Sequence, residues 1–133
     1  MSVDSWEIQK AIYTLLKSDA TLLGLGVKVY DHVPETASAP YISIGDDTLT
    51  DMGGKGFDAA DATLTLHTWT EGRGRKQVKT IHNRIRVLVA GATLPMAGQQ
   101  AITTLVEFET TTKDPDDRTT HGIMRIRSHI YED

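Results

Sequence analysis

The sequence predicts an α+β fold: a mostly antiparallel sheet of about five strands with two helices packed on one face, in the order αβββαββ. Three observations predict it. Apolar residues recur at helical spacing in two stretches, residues 8–16 and 78–88. Between and after them the period falls to two, as in half-buried strands. Turn-forming segments separate the successive strands, which favours antiparallel neighbours and leaves one sheet face for both helices.

The first helix opens at Asp4, with Glu7 three residues on in the arrangement of a capping box. Ile8, Ala11, Ile12, Leu15 and Leu16 then form one apolar stripe, with Gln9, Lys10, Thr14 and Lys17 on the wet side. Asp19 can cap a further short turn carrying Leu22 and Leu23. Val27–Tyr30 is a short strand, and Tyr41–Gly45 is a second one that opens after Pro40, where a strand tolerates proline. The stretch Asp51–Phe57 holds three glycines and reads as a loop. Ala60 to Thr70 alternates cleanly: Ala60, Ala62, Leu64, Leu66 and Thr68 on one face, Asp61, Thr63, Thr65, His67 and Trp69 on the other. After Glu71–Gly74 a second helix carries Val78, Ile81, Ile85 and Leu88, with Gly91 suited to its C-terminal cap. Ile102–Thr112 and Thr119–Tyr131 form a long hairpin about Asp114–Asp117. The expected core sets both helical stripes against Leu64, Leu66, Ile102, Val106 and Phe108, with Met124, Ile126 and Ile130 from the last strand.

A chain of 133 residues suits one domain, 1–133, and can bury roughly two thirds of its unfolded surface. Its 39% hydrophobic and 24% charged residues match an ordinary globular protein. No apolar run approaches the roughly 20 residues of a membrane span, and the opening MSVDSWEIQK lacks the pattern of a secretory signal. Without cysteine there is neither disulfide nor thiolate metal site, and folding in a reducing cytoplasm is expected. Residues 1–66 hold four bases against ten acids, and residues 67–133 ten bases against eight acids. An acidic chain of pI near 5.7 does not suit nucleic-acid binding, but the asymmetry suits head-to-tail packing of identical copies.

Catalytic chemistry finds no foothold. His32, His67, His82, His121 and His129 form no HxxxH spacing, and His121 and His129 stand roughly 27 Å apart along one strand. There is no GxSxG elbow, and the pairs Asp46–Asp47 and Asp116–Asp117 read as turn residues. Gly53–Gly56 lacks the spacing of a phosphate loop. Gly72–Lys76 precedes a helix and could receive an anion, but has neither base nor nucleophile beside it. No catalytic residue, metal ligand or cofactor is assigned, and the chain is read as a non-enzyme.

Several segments carry a resemblance. Val29–Pro34 (VYDHVP), Ala39–Gly45 (APYISIG), Ala62–Trp69 (ATLTLHTW) and the helix start at Gly72–Gly74 follow in an order that resembles the tail-completion (tail-terminator) proteins of long-tailed phages. The resemblance covers most of the chain, best over residues 5–90, and rests on the order of elements more than on one motif. It implies a structural protein of phage or prophage virions, made in the host cytoplasm and located in the tail. It implies a ring of six copies that caps the head-proximal end of the tail tube, stops polymerisation and prepares head joining. The implied partners are further copies, the tail tube protein and the head connector. A head–tail connector, or neck protein, is the nearest alternative; a small-ligand-binding regulatory domain is the alternative of another class. Contacts are expected at Met52, Gly53, Gly54, Lys55 and Phe57 in the glycine-rich loop. Further contacts are expected at Arg73 and Arg75 before the second helix, and at Asp116, Asp117 and Arg118 at the hairpin tip.

Overall fold

The computed structural model describes residues 2–116 and 118–133. In chain order the elements are α1 (Ser5–Lys17), α2 (Ala20–Gly24), β1 (Lys28–Tyr30), β2 (Tyr41–Asp51), β3 (Ala59–Glu71), α3 (Lys76–Gly91), β4 (Gln99–Lys113) and β5 (Thr119–Glu132). The strands form one sheet in the order β1-β2-β3-β5-β4. The α+β class and mostly antiparallel sheet agree with the sequence, with three helices where two were expected. Among the described residues no helix is long and apolar enough to cross a membrane.

β3 and β5 form the middle of the sheet and run in unbroken antiparallel register from Ala59–Tyr131 to Glu71–Thr119. Their inner faces pair Ala60 with Ile130, Leu64 with Ile126 and Leu66 with Met124, all buried. Ile8, Ile12 and Leu16 of α1 and Ile81, Ile85 and Val89 of α3 close over these residues in one core, joined by Leu22 and Ile42. Leu15 and Leu88, expected inside, pack against that core while remaining part-exposed.

Polar contacts fix the helices along the sheet. Asp4 caps α1 through Trp6 N (2.9 Å), but Glu7 does not close the box. Glu7 Oε1 instead accepts from Ala97 N (2.8 Å), while the Gln99 amide holds Asp4 N (2.7 Å) and Asp4 O (3.1 Å). The cap residues thus tie α1 to the start of β4. Asp19 caps α2 through Leu22 N and also receives both arms of Arg84 at 3.0 and 2.7 Å, joining α2 to α3. Beneath α3 lies Gly122. A Cβ built there would stand 2.6 Å from both His82 Cε1 and Val78 Cγ1, so glycine lets the helix approach the strand.

Four expectations are corrected. β1 pairs with β2 in parallel, not antiparallel, because the connection of residues 31–40 returns the chain to the same end of the sheet. Ile102 and Phe108 are 59% and 45% exposed. Register shifts between Ala101 and Thr103 and between Val106 and Phe108 are the cause. An extra residue reverses the facing of those after it. Asp46 and Asp47 lie within β2, at its own register shift, not in a turn. Gly91 ends α3 as its last helical residue, and the extended Ala92 is the cap.

The core assignment makes a paired prediction. Ile81, fully buried, is expected to cost about 2–5 kcal/mol on truncation to alanine. The exposed Ile102, treated in the same way, is expected to change stability by less than about 0.5 kcal/mol. Urea unfolding of the two variants checks both, and equal losses would refute the corrected facing of β4.

Candidate functional site

The residues expected to make contacts are gathered by the fold into two groups at opposite ends of β3. Thirteen residues of strand separate them, a span of roughly 40 Å.

At one end the β2–β3 connection folds back on itself. Gly53 N donates to Asp51 Oδ1 (2.8 Å), Met52 N to Ala59 O (2.9 Å), and Gly54 and Phe57 exchange backbone bonds at 3.2 and 3.4 Å. The apolar side chains of this tip turn outward: Met52 is 57% and Phe57 52% exposed, with Lys55 beside them in solvent. Asp58 anchors the tip, accepting from Ser2 Oγ (2.7 Å) at its side chain and from Glu132 N (3.0 Å) at its carbonyl. The tip is therefore a braced hairpin end that presents hydrophobic surface.

At the other end the β3–α3 connection and the β4–β5 turn are tied together. Gly72 N donates to Arg118 O (2.6 Å), and Thr120 Oγ1 donates to Gly72 O (3.0 Å). This brings the segments of Arg73, Arg75, Asp116 and Arg118 to one place; Asp117 lies outside the described residues. The Asp116 carboxylate is taken up by its own turn, accepting from Arg118 N (2.8 Å) and Thr119 N (3.1 Å). The bond from Arg118 N, foremost, lowers its pKa below the ordinary carboxylate value.

The anion reading of this end meets an electrostatic obstacle. The adjacent cavity of about 400 Å³ is lined by Tyr41, Trp69 and Thr119 together with the acids Glu71, Asp114 and Asp116. Carboxylates on that wall oppose a negatively charged ligand.

Two histidine arrangements escaped the sequence. On the outer sheet face His67 Nδ1 lies 2.8 Å from His121 Nε2, and the His121 ring stacks on Trp69 at 3.8 Å between centroids. Gly45 makes room, since a Cβ there would stand 2.6 Å from His67 Nε2. The two rings can share one proton, and the His121 pKa is lowered by burial and then by His67. Among the described residues no three His, Cys, Asp or Glu side chains come together to hold a metal ion. On the inner face His82 is fully buried, with Nδ1 2.9 Å from Glu109 Oε2, and Glu109 also pairs with Arg86. Among the described residues His82 Nε2 has no hydrogen-bond partner. Strand pairing unites the first pair and the seating of α3 on the sheet the second, and only the common facing of His67 and His121 could have hinted at one.

A family model described as "Tail completion protein gp17" matches residues 10–131. The chain belongs to the tail completion protein gp17 family. A curated relative in that family, tail completion protein gp17 of Bacillus phage SPP1, is 25% identical over 123 residues, covering 92% of this chain and 91% of its own. The solved structure of bacteriophage SPP1 gp17 superposes with a TM-score of 0.62 at 26% identity, over 96% of this chain and 95% of that one. A chain from the virion of a native gene transfer agent particle superposes with a TM-score of 0.89, over 98% of this chain and 99% of that one. At 20% identity that likeness shows a common fold. Membership of the tail completion family makes this chain a structural protein of phage tails.

The buried histidine predicts a pH dependence. Burial, then the Arg86 charge, pull the His82 pKa from 6.5 down to about 4. Between those values the unfolded chain binds more protons than the folded one, so stability is full above about pH 6.5 and falls as pH drops toward 4. A displacement of that size amounts to at most about 3 kcal/mol, and Glu109 on Nδ1 works against it. His121, also lowered, adds in the same direction. The urea midpoint is expected to fall between pH 7 and pH 5, and His82→Gln to flatten that fall; an unchanged slope would remove His82 as its source.

Proposed function

We propose that this chain forms a ring on the head-proximal end of the finished tail tube, where it stops polymerisation and offers a surface to the head connector. The observation that carries the reading is the tail completion family match across residues 10–131. The geometry supports it. A protein between tube and head needs two contact regions facing apart, and the chain presents one at each end of β3. The apolar tip offers Met52, Gly53, Gly54, Lys55 and Phe57, and the charged end offers Arg73, Arg75, Asp116 and Arg118. The partners are further copies of the chain, the tube protein and the connector protein. The site of action is the virion tail, after synthesis in the host cytoplasm. No catalytic step is assigned.

Interrupting the gene in the genome that encodes the chain is expected to give tails that overrun their usual length and heads without tails. Adding purified protein is expected to restore joining. Tails of normal length that still fail to join heads would favour a connector on the portal side instead, and normal particles would refute both readings.

The two ends are tested separately by Phe57→Asp and Arg118→Glu. One is expected to disturb tail length and the other head joining, each scored by electron microscopy. If both variants give normal tails on normal heads, these ends are not the contact regions.

A further inference from the structure

We infer that copies of this chain join edge to edge, the free edge of β4 in one copy pairing antiparallel with the free edge of β2 in the next. The inference rests on the ring reading and names the surface that builds the ring.

Both sheet edges are open. β4, fifteen residues long, pairs only with β5. β2 is covered by β1 only over Tyr41–Ser43, which leaves residues 44–51 with an unpaired side. A long open edge is a template for pairing with another chain, and soluble proteins usually cover or charge it. Here the β4 edge instead exposes Leu105 (48%) and Phe108 (45%).

Strand direction and height are compatible. β2 is antiparallel to β3, β3 to β5 and β5 to β4, so the two free edges run in opposite directions. A rotation about an axis parallel to the strands keeps every residue at its own height and brings the edges together antiparallel. The ladder fixes those heights: Thr48 is level with Thr63, Thr63 with Arg127 and Arg127 with Leu105. Asp47 is likewise level with Leu64, Ile126 and Val106.

Charge does not oppose the pairing at that height. The β2 edge shows the exposed acids Asp46 and Asp47. On the β4 side both acids are already engaged, Glu107 by Arg125 and Arg127, and Glu109 by Arg86. Lys79 stands in solvent beside Glu109 and Thr110, level through the ladder with Ser43 of β2, where β1 already pairs. The β4 and β2 edges are different surfaces, so the contact is heterologous and adds copies in one direction until it closes.

The chain has no cysteine, which makes a cross-link test clean. Thr48→Cys and Leu105→Cys in one chain, under a mild oxidant, are expected to give a ladder of covalent oligomers that ends at the ring. Each single variant is expected to stay free of that covalent ladder. The test is run on purified protein and on tails carrying it, with circular dichroism confirming the fold. Rings seen by microscopy without cross-links overturn the edge pairing and leave the ring reading standing. Absence of rings in both preparations overturns the ring reading, and the edge pairing with it.

Discussion

The unbroken pairing of β3 with β5 is the constraint on which the other features depend. Its two strands alternate in phase, so every second residue from Ala60 to Thr70 and from Thr120 to Ile130 faces the helices. The same register sends Asp61, Trp69, His121, Arg127 and His129 to the far side. Because the hairpin partner β4 attaches through β5, the β4–β5 turn is carried to the same end as the β3–α3 connection. A slip of one residue would exchange the two faces and put Arg125 and Arg127 under α3.

Where one rule governed an element, the sequence revealed it. β3 was legible to within a residue because from Ala60 to Thr70 every inward position is small or apolar and every outward one part-exposed. α3 was legible because Val78, Ile81 and Ile85 keep one stripe at zero exposure. β4 was misread on Ile102 and Phe108 because alternation is a local rule, and two register shifts reset it without leaving a glycine or proline as a mark. The parallel β1–β2 pair was hidden because three residues carry too little pattern to fix a direction.

The placement of the two proposed contact regions was legible in part. Glycine and aspartate punctuate both loops, and the structure puts those loops at the two ends of β3. Sequence could not show that Arg118 O holds Gly72 N, since forty-six residues separate the two segments in the chain. Nor could it show that the Asp116 carboxylate is already occupied by its own turn.

The glycine beneath α3 has a mechanical consequence. Val78 and His82 both settle into the notch at Gly122, one turn apart on the same helix face. A helix seated in this way resists sliding along its axis, since any shift would drive one of those side chains against strand backbone. Arg84 adds a second fixed point through Asp19. Force applied at the loop of Arg73 and Arg75 would therefore pass into the sheet without loosening the helix. A structural part of a phage tail gains from that kind of stiffness, and a missing side chain supplies it.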